Sequence, residues 1–515
     1  MTETVSAPLA PPAQTAAGNR WLVLVIACLA QFMVVLDATV VNVALPSIQH
    51  GLHFSASNLQ WVVNAYTLVF GGFLLLGGRA SDLLGRKRLF AAGVILFSAA
   101  SLLNGLAQSS TMLVAGRGLQ GLGGALLSPA ALSIITTTFT DKAERTKALG
   151  VWSAIAAGGG AVGLLLGGVL TDLASWPWIF IVNVPVGVIT LMLTIRYVPE
   201  SRDELRHRSF DLAGAVSVTA GLVVLVYAIV KAQAFGWGSA RTIGLLAAAL
   251  ALLATFVVIE RRSRSPLVRL SIFGVKTLSV ADGVLLLVAS GMFGMFFFAS
   301  LYVQEILGYS PLKAGLAFLP VTAGIVVGAG IAQQLIRRLG VRAVSVIGIL
   351  LAAAGMVVLT QVPVNGSYAT DLLPGLIPMS IGMGLVFVPI TLLGTGGVRR
   401  EDAGLASGLF NTAQQVGGSL GLAILSTLAA SKTADLLTPH ASQAAQLAAK
   451  VSGYHVAFAA AAGMLAAGAI ILMVALHRRD LERFEASELE APADDEPAEE
   501  LVAEPALEPS GTVAA

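Results

Sequence analysis

The chain has 515 residues and a formal net charge of +2; 56% of its residues are hydrophobic and only 12% are charged. Soluble domains carry about 25% charged residues, so this chain lacks the polar surface that a water-soluble protein of its size needs. Its single cysteine, Cys28, excludes both a disulfide framework within one chain and a cysteine-based metal cage.

Apolar runs of roughly twenty residues recur along the whole chain, and each is long enough to cross a hydrocarbon core of ~30 Å. The composition therefore predicts an all-α, polytopic membrane protein. We count fourteen spans, which begin near residues 21, 58, 89, 111, 148, 177, 211, 240, 280, 314, 341, 371, 403 and 455.

The basic residues predict the orientation of these spans. An even number of spans places both termini on one side, and the loops and tails of that side contain 25 of the 31 Lys and Arg. Because cytoplasmic loops are enriched in Lys and Arg, both termini are predicted to be cytoplasmic. The Ala- and Gly-rich composition is typical of a high-GC bacterium, so we expect a bacterial cytoplasmic membrane protein.

The chain also contains an internal repeat. "ALGVWSAIAAGGGAVG" returns as "ASGLFNTAQQVGGSLG" 258 positions later, and Gly340 of "AQQLIRRLGVR" corresponds to Gly85 of "GRASDLLGRKR" at a shift of 255. A near-constant shift predicts two related halves in the same orientation, as in transporters built from parallel repeats. The predicted 6+2+6 organisation is a cytoplasmic tail (1–20), a six-helix bundle (21–200), two extra helices (201–265), a second six-helix bundle (266–479) and an acidic, disordered cytoplasmic tail (480–515).

The first span contains an unexpected charge, Asp37, in "FMVVLDATVVNVALP". A carboxylate in mid-span costs about 2.5–3.5 kcal/mol on insertion scales, so it should face a partner or a cavity. Asp37 lies roughly 12 Å from the outer end of its span, and Arg117 lies roughly 9 Å deep in span four. The matching depths predict an Asp37–Arg117 pair that either takes part in proton coupling or is a fixed, non-titrating ion pair. A helical wheel places Asn42 about 120–140° away from Asp37, so one ligand should not contact both.

Other polar residues within spans are candidates for a substrate cavity. Gln120 lies one turn after Arg117, where it could touch substrate or orient the guanidinium. Span nine is rich in Met and Phe, which suit either varied apolar ligands or packing against lipid. The candidate cavity residues are Asn42, Gln120, Asn411, Gln414, Tyr302 and Glu305.

Glycine spacing indicates close helix contacts. Gly159, Gly163 and Gly167 form a GxxxGxxxG pattern, which lets a neighbouring helix approach closely. With Gly417 and Gly421 of the repeat, this pattern predicts an interface between the two halves, although static packing within one half would use the same spacing.

The loop between spans two and three is a candidate for conformational gating. Its glycines allow a tight turn, and Asp82 could cap a helix or pair with a cation in a contact that breaks as the halves rock. By themselves the basic residues are also explained by the positive-inside rule. The predicted gating residues are Gly78, Asp82, Gly85, Arg86, Lys87 and Arg88.

Five motifs in order resemble the major facilitator superfamily, specifically its fourteen-span drug:proton antiporter branch. They are "LDATVVNVALP", "GGRASDLLGRKR", "LVAGRGLQGLGGALLSP", "FDLAGAVSVTAGLVVLVYAI" and "LYVQEILGYSPLKAGLAFLP". The resemblance implies a major facilitator fold in which spans one and four line a central cavity, and it supports gating by the Asp82 loop. Two positions depart from the family pattern: Leu164 replaces the usual proline of the antiporter motif, and Leu83 replaces a basic residue.

These observations predict a proton-coupled exporter of amphipathic small molecules, such as drugs, dyes or a secondary metabolite, that works by alternating access. The six histidines form no metal-ligand or nucleophile–base spacing, so we expect neither an enzyme nor a cofactor, with the proton gradient as energy source. The expected partners are substrate, protons and the lipid bilayer, without nucleic acid, and the chain is expected to be a monomer. The alternatives are a uniporter or importer of a nutrient, which Leu164 leaves open, and a receptor or scaffold that acts through the acidic tail.

Overall fold

The computed structural model describes residues 17–201, 211–263, 266–399, 402–438, 440–477 and 479–482. Long helices dominate these ranges, as expected for apolar runs whose backbone polar groups must be satisfied inside each segment. The first half contains α1 (Ala17–Leu52), α2 (Ala56–Leu59), α3 (Trp61–Leu84), α4 (Arg86–Gly105), α5 (Ser110–Thr138), α6 (Lys142–Leu173), α7 (Trp178–Ile181) and α8 (Asn183–Tyr197).

Two further helices separate this half from its counterpart. They are α9 (Leu212–Phe235) and α10 (Ala240–Arg262). The second half contains α11 (Lys276–Leu301), α12 (Pro311–Ala317), α13 (Leu319–Leu359), α14 (Leu373–Thr395), α15 (Ala403–Leu436) and α16 (Gln443–Ala475). Short 3₁₀ or π turns cover Leu270–Gly274, Tyr302–Ile306 and Tyr368–Leu372.

The number of spans agrees with the predicted fourteen within the described residues. Twelve helical segments are long and apolar enough to cross a membrane. One of them, Pro311–Leu359, contains two spans, because Gly340 interrupts α13 with a φ of 79° and a ψ of 161°. The 34-residue α15, whose most apolar stretch is more polar than those of the twelve segments, is the fourteenth span of the count. The predicted all-α polytopic fold is therefore confirmed.

Some helices begin earlier than hydropathy predicts. The last span was placed near residue 455, whereas α16 begins at Gln443. The segment "QAAQLAAKVSGYH" forms helix readily because of its alanines, but hydropathy detects only the apolar part of a helix. Helix length therefore exceeds span length at this position.

The repeat is visible in the backbone. Gly85 ends α3 with a φ of 109°, and Gly340 ends the first part of α13 with a φ of 79°. Glycine adopts positive φ without the steric cost that a side chain brings, so each half turns between its second and third spans at an equivalent glycine.

The two extra helices lie at the side of the molecule. Leu222, Val226 and Val230 of α9 pack with Leu68 of α3 and Ala423 of α15, so α9 contacts both halves. The α10 helix packs mainly on α9, and only 11% of the residues in its most apolar stretch are buried. Such an exposed apolar surface is suited to lipid.

Because fourteen spans are an even number, both ends of the described chain lie at one end of the bundle. There Arg20 of α1 pairs with Glu144 of α6 at 3.6 Å, and Lys276 of α11 pairs with Asp480 beyond α16 at 2.8 Å. We call this the terminal end and the other the opposite end. The predicted domain boundaries and the cytoplasmic placement of the termini stay predictions; the acidic tail lies outside the described residues from position 483 onwards.

Candidate functional site

A buried ion pair joins α1 and α5 inside the first half. Arg117 Nη1 lies 2.5 Å from Asp37 Oδ2, and the two side chains are 1% and 0% exposed. Two buried charges repay their desolvation only when geometry and additional hydrogen bonds are favourable. The ion pair predicted from matching depths is therefore present, while its part in proton coupling stays a prediction.

Additional hydrogen bonds complete the ion pair. Gln120 accepts from Arg117 Nη1 at 2.7 Å and donates to Asp37 Oδ1 at 2.7 Å. Asn183 of α8 donates to the same Asp37 oxygen at 3.3 Å, and Arg117 Nε donates to the carbonyl of Val62 at 2.9 Å. Asp37 thus accepts from three side chains on two helices other than its own, and these bonds stabilise its charge in a buried position.

Three more residues support this network, and sequence reasoning missed them together with Asn183. Asn104 donates to Gln120 Oε1 at 2.8 Å, and Gln120 donates to Ser101 at 2.7 Å. The guanidinium carbon of Arg117 lies 4.4 Å from the ring centroid of Tyr66, within cation–π range. The available signal was a pair of asparagines inside otherwise apolar spans, but the sequence does not reveal which helix they face.

A central cavity of about 210 Å³ lies between the two halves next to this network. Asn42 and Arg117 line it from the first half, and Gln414 and Phe296 line it from the second. Asp37 is not among its lining residues, and its fully buried carboxylate is paired with Arg117 inside the first half. The helical wheel correctly separated Asn42 from Asp37. Its full lining is Ala38, Thr39, Asn42, Val63, Tyr66, Thr67, Arg117, Met292, Phe293, Phe296, Gln414, Gln415 and Leu422.

A second, larger cavity of about 620 Å³ lies towards the terminal end, also between the halves. Gln31 and Ser128 line it from the first half and are hydrogen-bonded at 3.0 Å. Asn411 lines it from α15, and Gly78 and Arg79 line it near the end of α3. Asn411 and Gln414, both proposed from sequence, therefore line different cavities.

Three of the predicted cavity residues line neither of these cavities. Gln120 is fully buried in the ion-pair network, where it accepts from the guanidinium of Arg117, in agreement with the orienting role that was the alternative to substrate contact. Tyr302 is buried near the opposite end, where its hydroxyl donates to the carbonyl of Pro363 at 2.7 Å. Glu305 accepts from Lys450 at 2.5 Å in the same region. These polar groups bind other groups of the same chain because packing within each half brings those groups close. The sequence pattern does not show this packing.

The halves are in contact at the opposite end. Ser300 of α11 donates to the carbonyl of Asn42 at 2.6 Å, and Gln304 donates to the carbonyl of Val43 at 2.9 Å. Ser310 also donates to Asp172 at 3.0 Å. Because these bonds join α1 and α6 to the second half, the molecule is closed at this end, and its larger cavity lies towards the terminal end.

The prediction that the repeated glycines lie between the halves is wrong. A Cβ on Gly159 would lie 3.1 Å from Val35, and one on Gly163 only 1.9 Å from Thr39, so both glycines pack against α1 of their own half. Gly167 packs against Val40, which also belongs to α1. In the second half, Gly417 and Gly421 pack against Leu286 and Ser290 of α11.

The contact between the halves uses the neighbouring face of α6. A Cβ on Gly168 would lie 2.7 Å from the carbonyl oxygen of Pro311, and one on Gly315 would lie 2.6 Å from that of Leu164. Glycine spacing identifies a close helix contact but not the partner helix, because the same pattern serves any neighbour.

The predicted gating loop contacts the end of α8. The backbone N–H of Lys87 donates to Glu200 at 3.2 Å, and Arg88 pairs with the same carboxylate at 3.5 Å. Arg86 donates to Ser133 of α5 at 2.6 Å, and a Cβ on Gly85 would lie 2.6 Å from Glu200. The side chain of Asp82 lies outside the described part of the structure. Gating by this loop stays a prediction.

A helical membrane protein with two repeated halves and cavities between them is a transporter in architecture. The chain matches the family model described as Major Facilitator Superfamily over residues 27–422. It therefore belongs to this superfamily, as its motifs predict, and is a transporter and not an enzyme.

Several curated proteins are similar along most of their length. The puromycin resistance protein pur8 of Streptomyces alboniger is 44% identical over 468 residues, which cover 90% of this chain and 92% of that protein. The cephamycin export protein CmcT of Amycolatopsis lactamdurans is 41% identical, covering 80% and 85%. The tetracenomycin C resistance and export protein of Streptomyces glaucescens is 35% identical, covering 82% and 79%.

Solved structures support the fold. A bacterial homologue of the human lysosomal transporter Spinster, in an inward-facing and occupied conformation, matches with a TM-score of 0.65 at 16% identity, covering 91% of this chain and 99% of that one. A structure of proton-dependent oligopeptide transporters matches with a TM-score of 0.61 at 14% identity, covering 91% and 100%.

Proposed function

We propose that this protein is a proton-coupled secondary active exporter of amphipathic small molecules. The observation that carries the proposal is the buried Asp37–Arg117 pair, whose arginine is also among the residues that line the central cavity between the halves. A carboxylate in this position can gain and lose a proton, and its cationic partner lies where substrate would bind.

Proton coupling follows from the charge balance of the pair. While Asp37 is ionised it neutralises Arg117, and the network around Gln120 and Asn183 holds both groups in place. A proton on Asp37 removes the negative charge, so the guanidinium loses its counter-ion and faces the central cavity as a net cation. The protonated and ionised forms therefore favour different arrangements of α1 and α5, which provides the differential free energy that coupling needs.

Alternating access is supported by where the halves meet. In the present arrangement Ser300 and Gln304 close the opposite end. Rocking of the halves would break these bonds and close the terminal end, and we place the loop from Gly85 to Arg88 among the contacts that change. In this proposal the termini are cytoplasmic, the protein works as a monomer, the two six-helix bundles are the moving bodies, and no cofactor is needed.

The printed names of the relatives support export as the direction of transport. Two of the similar proteins are named export proteins, for cephamycin and tetracenomycin C, and a third is a puromycin resistance protein. We infer that the substrate of this chain is likewise a drug-like molecule or secondary metabolite, carried from the cytoplasm to the outside.

Transport by purified protein in proteoliposomes tests the proposal. A panel of anionic, neutral and cationic amphipathic molecules would be assayed with and without an imposed pH gradient. We expect at least one compound to be driven against its concentration gradient by the pH gradient, and collapse of the gradient with an ionophore to stop it. Transport only down the substrate's own concentration gradient, at a rate independent of the pH gradient, would identify a uniporter instead.

A further inference from the structure

The two cavities between the halves have a one-sided charge. Arg79 and Arg269 line the terminal cavity, and Arg117 lines the central one. Among the described residues that line either cavity, none is an aspartate or glutamate. Among the lining residues that the structure describes, the charged ones are thus all cationic, and such a lining raises the free energy of a cation and lowers that of an anion.

Two of these arginines already have counter-ions. Arg117 is paired with Asp37, and Arg269 is paired with Asp402, which also accepts from Arg399 at 3.2 Å. Each of these guanidiniums therefore already has a carboxylate partner within the protein, although Asp402 is shared between two arginines.

Arg79 differs from both. Its Nε is buried without a hydrogen-bond partner, and within the described part of the chain its guanidinium forms no ion pair. A buried donor that lacks a partner is destabilising by roughly 1–3 kcal/mol, and more when the group is charged. The group that satisfies such a donor is an oxygen acceptor, above all a carboxylate or sulfonate that a guanidinium binds with two parallel bonds.

The surroundings of Arg79 suit an amphipathic ligand. The terminal cavity of about 620 Å³ is within the usual range of small-molecule sites. Phe70, Leu74 and Trp152 provide apolar and aromatic surface, while Gln31 and Asn411 provide polar groups.

We propose that the terminal cavity is a substrate subsite in which Arg79 binds an anionic oxygen group of an amphipathic molecule, and that the cavity excludes permanent cations. This inference rests on the proposed function and adds to it the charge class of the substrate and the residue that selects it.

Two dyes with one aromatic scaffold and opposite charge test the proposal. Fluorescein is an anionic xanthene and rhodamine 123 a cationic one. Binding of each to the purified full-length protein would be measured by fluorescence polarisation in phosphatidylcholine nanodiscs, where no anionic lipid competes. We expect fluorescein to bind at least about tenfold more tightly, as a charge-assisted hydrogen bond predicts.

The variant Arg79→Gln should weaken fluorescein binding about tenfold or more. The affinity for rhodamine 123 should stay the same or increase. Arg79→Lys, which keeps the charge but not the planar fork, should restore part of the affinity. The matched control is Arg337→Gln, which removes one positive charge from an exposed arginine that lines neither cavity.

Equal or tighter binding of rhodamine 123, an unchanged dye ratio in Arg79→Gln, or no binding of either dye would overturn the proposal. This failure is distinct from that of the proposed function. Gradient-driven transport of cations alone would retain the exporter and refute the anion subsite, whereas anion binding without gradient-driven transport would do the reverse.

Discussion

Arg117 and Asp37 form an ion pair of 2.5 Å that is shielded from water inside the first half, yet the arginine also lines the cavity between the halves. Both side chains are buried, but Arg117 is among the residues that line this cavity and Asp37 is not. A change in the charge of the carboxylate can therefore alter the electrostatic potential in the cavity through Arg117, without any contact between Asp37 and a ligand. In the proposed mechanism, Asp37 would hold the proton while Arg117 would link it to the cavity between the halves.

The ion pair should be costly to break on one side only. Arg117→Met leaves Asp37 buried without its cation, and removal of one partner of a buried pair costs about 3–5 kcal/mol. We expect a clearly lower midpoint of thermal unfolding in detergent for Arg117→Met, and recovery of part of that loss in the double variant with Asp37→Asn, which removes the orphaned charge. A double variant as unstable as Arg117→Met alone would show that the pair is not the source of the effect.

The glycine contact between α6 and α1 should tolerate no side chain. A Cβ on Gly167 would lie 2.8 Å from the carbonyl oxygen of Val40, which is backbone and cannot rotate away. Gly167→Ala should therefore destabilise the protein by about 1–3 kcal/mol, as overpacking does. In the same helix Gly150 has no atom within 4 Å of the Cβ position, so Gly150→Ala is the control and should be neutral or slightly stabilising. Equal thermal stability of the two variants would contradict the packing described.

The bonds at the opposite end should hold the halves in their present arrangement. Ser300→Ala combined with Gln304→Ala removes two hydrogen bonds to the backbone of α1, together worth about 2 kcal/mol and a roughly thirtyfold change in population. We expect the distance between the halves at this end to increase. It would be measured by double electron–electron resonance between spin labels on Leu173→Cys and Leu316→Cys in a Cys28→Ser background. Both label positions are exposed, at 77% and 49%.

Thr360→Ala is the control for that measurement, since within the described residues the Thr360 hydroxyl donates to the carbonyl of Val357, three residues earlier, and to no group in the other half. Its distance distribution should match that of the parent. If the double variant also matched the parent, the contacts of Ser300 and Gln304 would not determine which end is closed.

A contact at the terminal end should depend on pH. The Lys276 ammonium donates to Asp480 at 2.8 Å and holds the pKa of that carboxyl below its usual value. Because the depressed pKa belongs to the folded state, the contribution of this contact is present at neutral pH and is lost as the pH falls through that pKa. Asp480→Asn should therefore accelerate amide exchange in residues 479–482 at pH 7. The wild type should show such acceleration, after correction for intrinsic rates, only below about pH 4. An unchanged exchange rate in Asp480→Asn would contradict the contact.

The span pattern was predictable because hydropathy is a local property of the sequence. The same is true of the turns at Gly85 and Gly340, which the repeat placed at equivalent positions. The Asp37–Arg117 pair could be inferred from depth, since both residues are costly in a membrane and each needs a partner.

The remaining contacts depend on which helix faces which, and that is a property of the whole fold. Gly163 packs on α1 and Gln120 binds Asp37, although their spacing alone allowed an interface between halves and a substrate contact. Asn183 and Asn104 were missed because a polar residue within a span shows the need for a partner without naming it. Similarly, Tyr302 near a span end suits a cavity, a lipid headgroup or the carbonyl of Pro363 equally well in sequence.

The most direct test of the central claim is gradient-driven transport by Asp37→Asn in proteoliposomes, compared with exchange of the same substrate in the absence of a gradient. Asparagine keeps the shape of the side chain and can still accept from Gln120 and Asn183, but it carries no titratable proton. We predict that Asp37→Asn loses uphill transport driven by a pH gradient while it retains substrate binding and exchange. Full gradient-driven transport by Asp37→Asn would contradict the assignment of Asp37 as the coupling residue.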